Sequence, residues 1–145
     1  MIGVYTTMKR CAIVGSRDFP KLSLIVYLIQ RLIDDNGVGN ICIVSGAGGA
    51  VDLRAEHVAR EYGIAVDIYP ALWRGQDGKQ PYDKAAGIKR NKLIVMNSHV
   101  IYAFYSGIGY KFSGTLSTVE FAAKAGTPFK IFTPYDIIDI DTKLL

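Results

Sequence analysis

Five apolar, β-branched runs recur along the chain, at 11–15 (CAIVG), 41–45 (ICIVS), 64–70 (IAVDIYP), 99–105 (HVIYAFY) and 128–133 (PFKIFT). Their starts lie 30, 23, 35 and 29 residues apart, the length of a strand, a crossover helix and the return to a parallel strand. Runs this continuously apolar suit strands covered on both faces rather than on one. The segments between them carry helical periodicity. The first, 20–35, stripes Ile25, Leu28, Ile29 and Leu32 along one face, with Pro20 at an early helical position and Asn36-Gly37 as its stop. The second, 51–62, stripes Ala55, Val58, Ala59 and Tyr62 and ends at Gly63. The third, 82–97, is less regular. The fourth starts near Thr115, stripes Val119, Ala122 and Ala123, and closes at Gly126 before Pro128. The alternation predicts an α/β fold, a single Rossmann-like domain with an open, mostly parallel sheet of about five strands and helices on both faces.

The 145 residues are half hydrophobic and about a fifth charged, enough for one well-filled core, so one domain is expected over 1–145, with the core at 11–134 and a tail at 135–145. No repeat or low-complexity linker divides it. The start, MIGVYTTMKR, lacks the order of a secretion signal, and no apolar run approaches the roughly 20 residues that cross a bilayer, which predicts a cytoplasmic protein without a membrane partner. Seventeen Lys and Arg against thirteen Asp and Glu give a net charge of +4, favouring anionic partners without demanding nucleic acid. Cys11 and Cys42 sit in apolar runs and read as buried thiols on neighbouring strands rather than a disulfide. Two cysteines and two histidines (His57, His99) without clustered spacing propose no metal site, and no cofactor is expected.

In an open parallel sheet, ligands collect beyond the carboxyl ends of the strands, so the loops after each strand are the places to search. The first, Gly15-Ser16-Arg17-Asp18-Phe19-Pro20, pairs a glycine turn with a guanidinium able to fork onto phosphate. The second, Ser45-Gly46-Ala47-Gly48-Gly49-Ala50-Val51-Asp52, runs straight into a helix, where exposed amides and the helix start make a seat for an anion. It departs from the dinucleotide fingerprint, which needs glycine where Val51 stands, and no Walker sequence occurs. Asp52 is equally well explained as a first-turn carboxylate favoured by the helix dipole. The third, 70–81 (PALWRGQDGKQP), is the longest irregular stretch and reads as an active-site flap. The next helix opens with Lys84, Lys89, Arg90 and Asn91. Strand four runs into Tyr105-Ser106-Gly107 and then, past Ile108–Phe112, into Ser113-Gly114-Thr115, a second candidate anion seat with Tyr105 and Tyr110 able to stack on a base.

These segments, CAIVGSRDF, VSGAGGAVD, YPALW, AAGIKRN and SGTLSTVEFA, resemble the SLOG superfamily, the Rossmann-like group that includes DprA, the LOG phosphoribohydrolases and the small stand-alone YspA-like proteins. The YspA-like branch is the most similar. The resemblance implies a nucleotide-related ligand over the glycine loops, with phosphate near Gly46–Gly49 or Ser113–Thr115. It places Arg90 where the LOG enzymes keep an arginine of their catalytic pair and Asn91 in the Arg-Asn pair of the YspA-like proteins. The LOG carboxylate falls on Thr118, while Glu120 lies about 200° further round a helix and should face elsewhere. The usual run, roughly SGGARGVD, lacks its arginine here, and Ile108–Phe112 reads as an insertion.

Taken together, the expected ligand-binding residues are Gly15, Ser16, Arg17, Ser45, Gly46, Ala47, Gly48, Gly49, Asp52, Arg90, Asn91, Ser106, Gly107, Ser113, Gly114 and Thr115. With no complete set of acid, base and nucleophile, binding of a nucleotide, ADP-ribose-like or cyclic-nucleotide-like signal in a sensing or sequestering role comes first. The alternative is a nucleoside 5′-monophosphate N-glycosidase, with Arg90 holding phosphate and Glu120, Asp52 or Asp18 as the candidate catalytic carboxylate. A second alternative is DprA-like binding of single-stranded nucleic acid through cations and tyrosines. The tail at 135–145 (YDIIDIDTKLL) suggests an added edge strand or a protomer contact, and a homo-oligomer is expected.

Overall fold

The computed structural model describes residues 8–107 and 114–134. Five strands, β1 (Lys9–Gly15), β2 (Ile41–Ser45), β3 (Ala65–Ile68), β4 (Val100–Phe104) and β5 (Phe129–Phe132), form one sheet in the order β3-β2-β1-β4-β5. Every pair is parallel. The crossovers are helices α1 (Ser23–Asn36), α2 (Ala50–Glu61), α3 (Ala86–Met96) and α4 (Gly114–Ala125). This is the expected Rossmann-like α/β domain. The candidate Ser113, the insertion Ile108–Phe112 with Tyr110, and the tail at 135–145 lie outside the described residues.

Alternation along β1 explains why both faces of the sheet are covered. Cys11 and Ile13 point into a core with Leu24, Ile25, Leu28, Ile29 and Leu32 of α1, Val58 and Ala59 of α2, and Tyr102, Phe104 and Phe132 from the neighbouring strands. Ala12 and Val14 point the other way, against Ile94 and Val95 of α3 and Val119 and Ala122 of α4. A slip of one residue would exchange the two sets, so the register is fixed by burial. Cys11 pairs with Ile43 and Arg10 with Cys42, which puts the two thiols on adjacent strands but on opposite faces. Both are free and buried.

Several expected boundaries and faces move. The first helix begins at Ser23 rather than Pro20, because Leu24 and Ile25 donate back to the Lys21 and Leu22 carbonyls and close the first turn there. Tyr62 follows α2 and is 42% exposed instead of sharing its buried stripe. Ala123 faces solvent, whereas Thr115 and Thr118 complete the buried face of α4. The run at 64–70 supplies only a four-residue strand, although Ile64 still anchors in the core. Gly37, Gly63 and Gly126 follow their helices at positive φ, as helix stops require. Among the described residues, no helix is long and apolar enough to cross a membrane.

Candidate functional site

The strand order reverses direction between β1 and β4, and a pocket of about 500 Å³ opens there, beyond their carboxyl ends. That size falls within the range of clefts that bury small ligands. Its walls come from the end of β1 (Val14 to Asp18), the start of α2 (Gly48, Asp52), the end of β4 (Tyr105, Ser106), one side of α3 from Gly87 to Ile94, and the start of α4. Trp73 and Lys84 join from the loop between β3 and α3.

Close packing at the β1 terminus sets the floor. A Cβ on Gly15 would stand 2.5 Å from a methyl of Val51, so only glycine lets the first turn of α2 come this near to β1. The Ser16 amide then donates to the Phe104 carbonyl at 2.9 Å, and the Ser106 amide donates to Ser16 Oγ at 3.3 Å, tying the ends of β1 and β4 together. Phe19 is buried edge-on against Phe104, with ring centroids 5.4 Å apart. This anchor carries Arg17 and Asp18 to the pocket wall. Arg17 and Lys84 are exposed cations with no hydrogen-bond or ion-pair partner among the described residues.

The glycine loop behaves differently from a bare row of amides. Ala47 adopts a positive φ of 52° and its amide donates to Ser45 Oγ at 3.3 Å. The Gly48 amide donates to Asp52 Oδ2 at 2.8 Å, so the carboxylate of the first helical turn reaches back to the chain entering it, much as in a capping box. Ser45 is fully buried and donates to Glu56 Oε2 at 2.7 Å. Arg90 donates to the Gly46 carbonyl at 2.6 Å and to Asn91 Oδ1 at 2.9 Å, while Asn91 Nδ2 donates to the Gly114 carbonyl at 3.3 Å. Arg90 and Asn91 thereby bolt the glycine loop to the starts of α3 and α4. Burial pushes the Asp52 carboxyl up to about 6, against the opposing pull of the Gly48 amide and Arg90. Burial also lowers the Arg90 pKa.

The long loop is self-bonded rather than a bare connector. The backbone N–H of Gln80 donates to the Arg74 carbonyl at 3.0 Å and that of Asp83 to the Trp73 carbonyl at 2.7 Å. Trp73 stacks on Tyr82, with centroids 5.7 Å apart and planes 8° off parallel, and the Arg74 guanidinium lies 5.7 Å from the Tyr82 ring centre.

Of the residues expected from sequence, Gly15, Ser16, Arg17, Gly48, Asp52, Arg90, Asn91, Ser106, Gly114 and Thr115 line the pocket. Ser45, Gly46, Ala47, Gly49 and Gly107 do not. Ser45 and Gly46 instead turn inward to serve Glu56 and Arg90. Glu120 is exposed and away from the pocket, while Thr118, two residues earlier, lines it and donates to the Gly114 carbonyl at 3.1 Å. Val14, Ile88, Ile94 and Thr118 were not singled out as site residues from the sequence, whereas Trp73 falls in the loop read as a flap and Lys84 and Gly87 in the basic stretch that opens α3. The sole tryptophan of the chain, set in its longest post-strand loop, was the one signal available for Trp73.

No protein-family model matches the sequence, and no curated protein matches it. Solved structures do. DNA processing protein A (DprA) from Streptococcus pneumoniae is similar over 91% of this chain, with a TM-score of 0.66 and 22% identity. DNA processing protein A from Helicobacter pylori, described for its single-stranded DNA binding mode, is similar over 86%, with a TM-score of 0.63 and 20% identity. The chain spans 52% and 65% of those two structures, less than two thirds of each. What this chain shares with DprA is therefore the Rossmann-like fold.

Proposed function

We propose that the protein is a small SLOG-superfamily member of the YspA-like kind, and that it binds a nucleotide-derived, phosphate-containing ligand in the pocket between β1 and β4, in a sensing or sequestering role. The observation that carries this is the set of groups converging on one 500 Å³ pocket: Arg17 and Lys84 without partners among the described residues, the Ser16 hydroxyl, and an indole. Cations supply charge-assisted bonds to phosphate, and the apolar side chains Val14, Ile88 and Ile94 accept a less polar part of the same molecule. Calorimetric titration with nucleoside monophosphates tests it. Binding that weakens about tenfold or more in Arg17→Ala is expected, since a hydrogen bond to a charged group contributes about 1.5–3 kcal/mol. Undiminished binding in that variant, or none in the wild type, would count against the pocket.

A second reading, binding of single-stranded nucleic acid, draws on the fold shared with the Helicobacter pylori protein described for that activity and on the exposed Trp73 and Tyr82. It requires oligonucleotide affinity well above that of a mononucleotide, with a steep loss as salt rises. Equal affinities for the two would retain the mononucleotide reading. Hydrolysis of the ligand is read from the same mixtures by chromatography for released base. Asp52, which holds its proton to about pH 6, and Asp18 are the pocket carboxyls that such a reading would call on.

A further inference from the structure

Among the pocket-lining side chains, Trp73 is the largest and the one whose position is most thoroughly prepared. It leaves 40% of its surface open. Its carbonyl is held by the Asp83 amide, and Asp83 in turn accepts from the Ala85 amide at 2.9 Å and from Lys89 Nζ at 2.7 Å, fastening the loop to the start of α3. Tyr82 stacks on the ring. On the helix side the fit is close: a Cβ at Gly87 would come within 3.2 Å of the far edge of the indole, which would have to shift by a few tenths of an ångström to admit it. Three separate devices, a backbone bond, a ring stack and a missing side chain, thus hold an indole at the wall of a pocket that also presents Arg17 and Lys84.

An indole kept half open at a pocket wall exposes apolar surface that folding alone would hide, and its flat π-face prefers an offset planar partner. The same pocket presents cations. A ligand satisfying both must carry a planar ring and an anion within one small molecule, which separates a nucleotide from a sugar phosphate. Resting on the nucleotide reading above, we propose that Trp73 is the specificity-determining residue of this pocket, stacking on the nucleobase of the ligand while Arg17 and Lys84 take its phosphate.

The wild-type chain has a single tryptophan, so its intrinsic fluorescence reports on Trp73 alone. Adenosine 5′-monophosphate and ribose 5-phosphate are titrated against the wild type by fluorescence and calorimetry, and against Trp73→Phe and Trp73→Ala by calorimetry. The nucleotide is expected to change the Trp73 emission and to bind roughly 5- to 150-fold more tightly than the sugar phosphate, the range that base–aromatic stacking contributes. Trp73→Phe keeps that preference, and Trp73→Ala brings the nucleotide down to the level of the sugar phosphate. Thermal melts verify that both variants fold. Equal binding of the two ligands to the wild type, or a preference that survives in Trp73→Ala, overturns the stacking assignment and leaves the pocket standing. Absence of binding by either ligand overturns both.

Discussion

At the residue scale, Asp52 carries the most information. Its folded pKa of about 6 exceeds the ordinary 3.8, so the folded chain holds this proton more tightly than the unfolded one. Its contribution to stability is therefore fully present below about pH 3.8 and is lost as pH rises through about 6. Asp52→Asn keeps an oxygen for the Gly48 amide and removes the buried charge. Chemical denaturation is expected to show the variant more stable than the wild type by roughly 2–3 kcal/mol at pH 8, with the difference vanishing near pH 3.5. A constant offset at both pH values would contradict the assignment. The same charge, facing Arg90 and the Gly48 amide from the loop and α3 and Glu56 from its own helix, opposes an incoming anion. A cyclic nucleotide, whose single negative charge does not titrate in this range, should then bind more tightly at pH 5 than at pH 8, with a flatter profile in Asp52→Asn.

Tyr102 gives a second residue-scale prediction. Its ring is fully buried and its hydroxyl finds no partner among the described residues, while burial drives its pKa upward. Tyr102→Phe removes only the stranded hydroxyl and is expected to raise stability by about 1 kcal/mol in the same assay. A loss would reveal a bond that the hydroxyl makes. These groups also mark where sequence reasoning stops. Arg17, Ser106 and Thr115 were legible because the rule about post-strand loops is topological. Ser45 and Gly46 were not, since a small residue looks alike whether it faces a ligand or a supporting helix, and the deciding partner of Ser45, Glu56, lies eleven residues further on.

At the scale of elements, the contact between β1 and α2 is the tightest joint in the site. Alanine at Gly15 would drive a Cβ to 2.5–2.6 Å from three carbons of Val51, a fully buried β-branched side chain with no room to turn. Gly15→Ala is expected to cost about 1–3 kcal/mol in denaturant unfolding and to widen the pocket floor, weakening ligand binding as well. Unchanged stability would mean that α2 does not pack this closely against β1. The inner strands were readable because their β-branched runs, buried on both faces, are too short for a helix and are bounded by turn residues. Strand ends were less so: Tyr105 still donates to the Phe132 carbonyl after β4 has formally ended, and Ile64 packs in the core before β3 begins. The long loop stood out by its length and composition, whereas the bond that ties Trp73 to Asp83 spans ten residues and leaves no pattern in the sequence.

At the scale of the whole molecule, β1 and β4 belong to both cores at once, so neither face of the sheet has an independent reason to persist when the other melts. Circular dichroism and Trp73 fluorescence are expected to report coincident denaturant midpoints. An earlier fluorescence transition would show the aromatic loop opening on its own. Amide chemical-shift mapping with adenosine 5′-monophosphate is the most direct test of a phosphate-bearing ligand seated at the reversal point between β1 and β4. The largest shifts should fall on Gly15, Ser16, Arg17, Ser106 and Thr115 and on the Trp73 indole; a saturable response confined to other surfaces, with these residues unmoved, would contradict it.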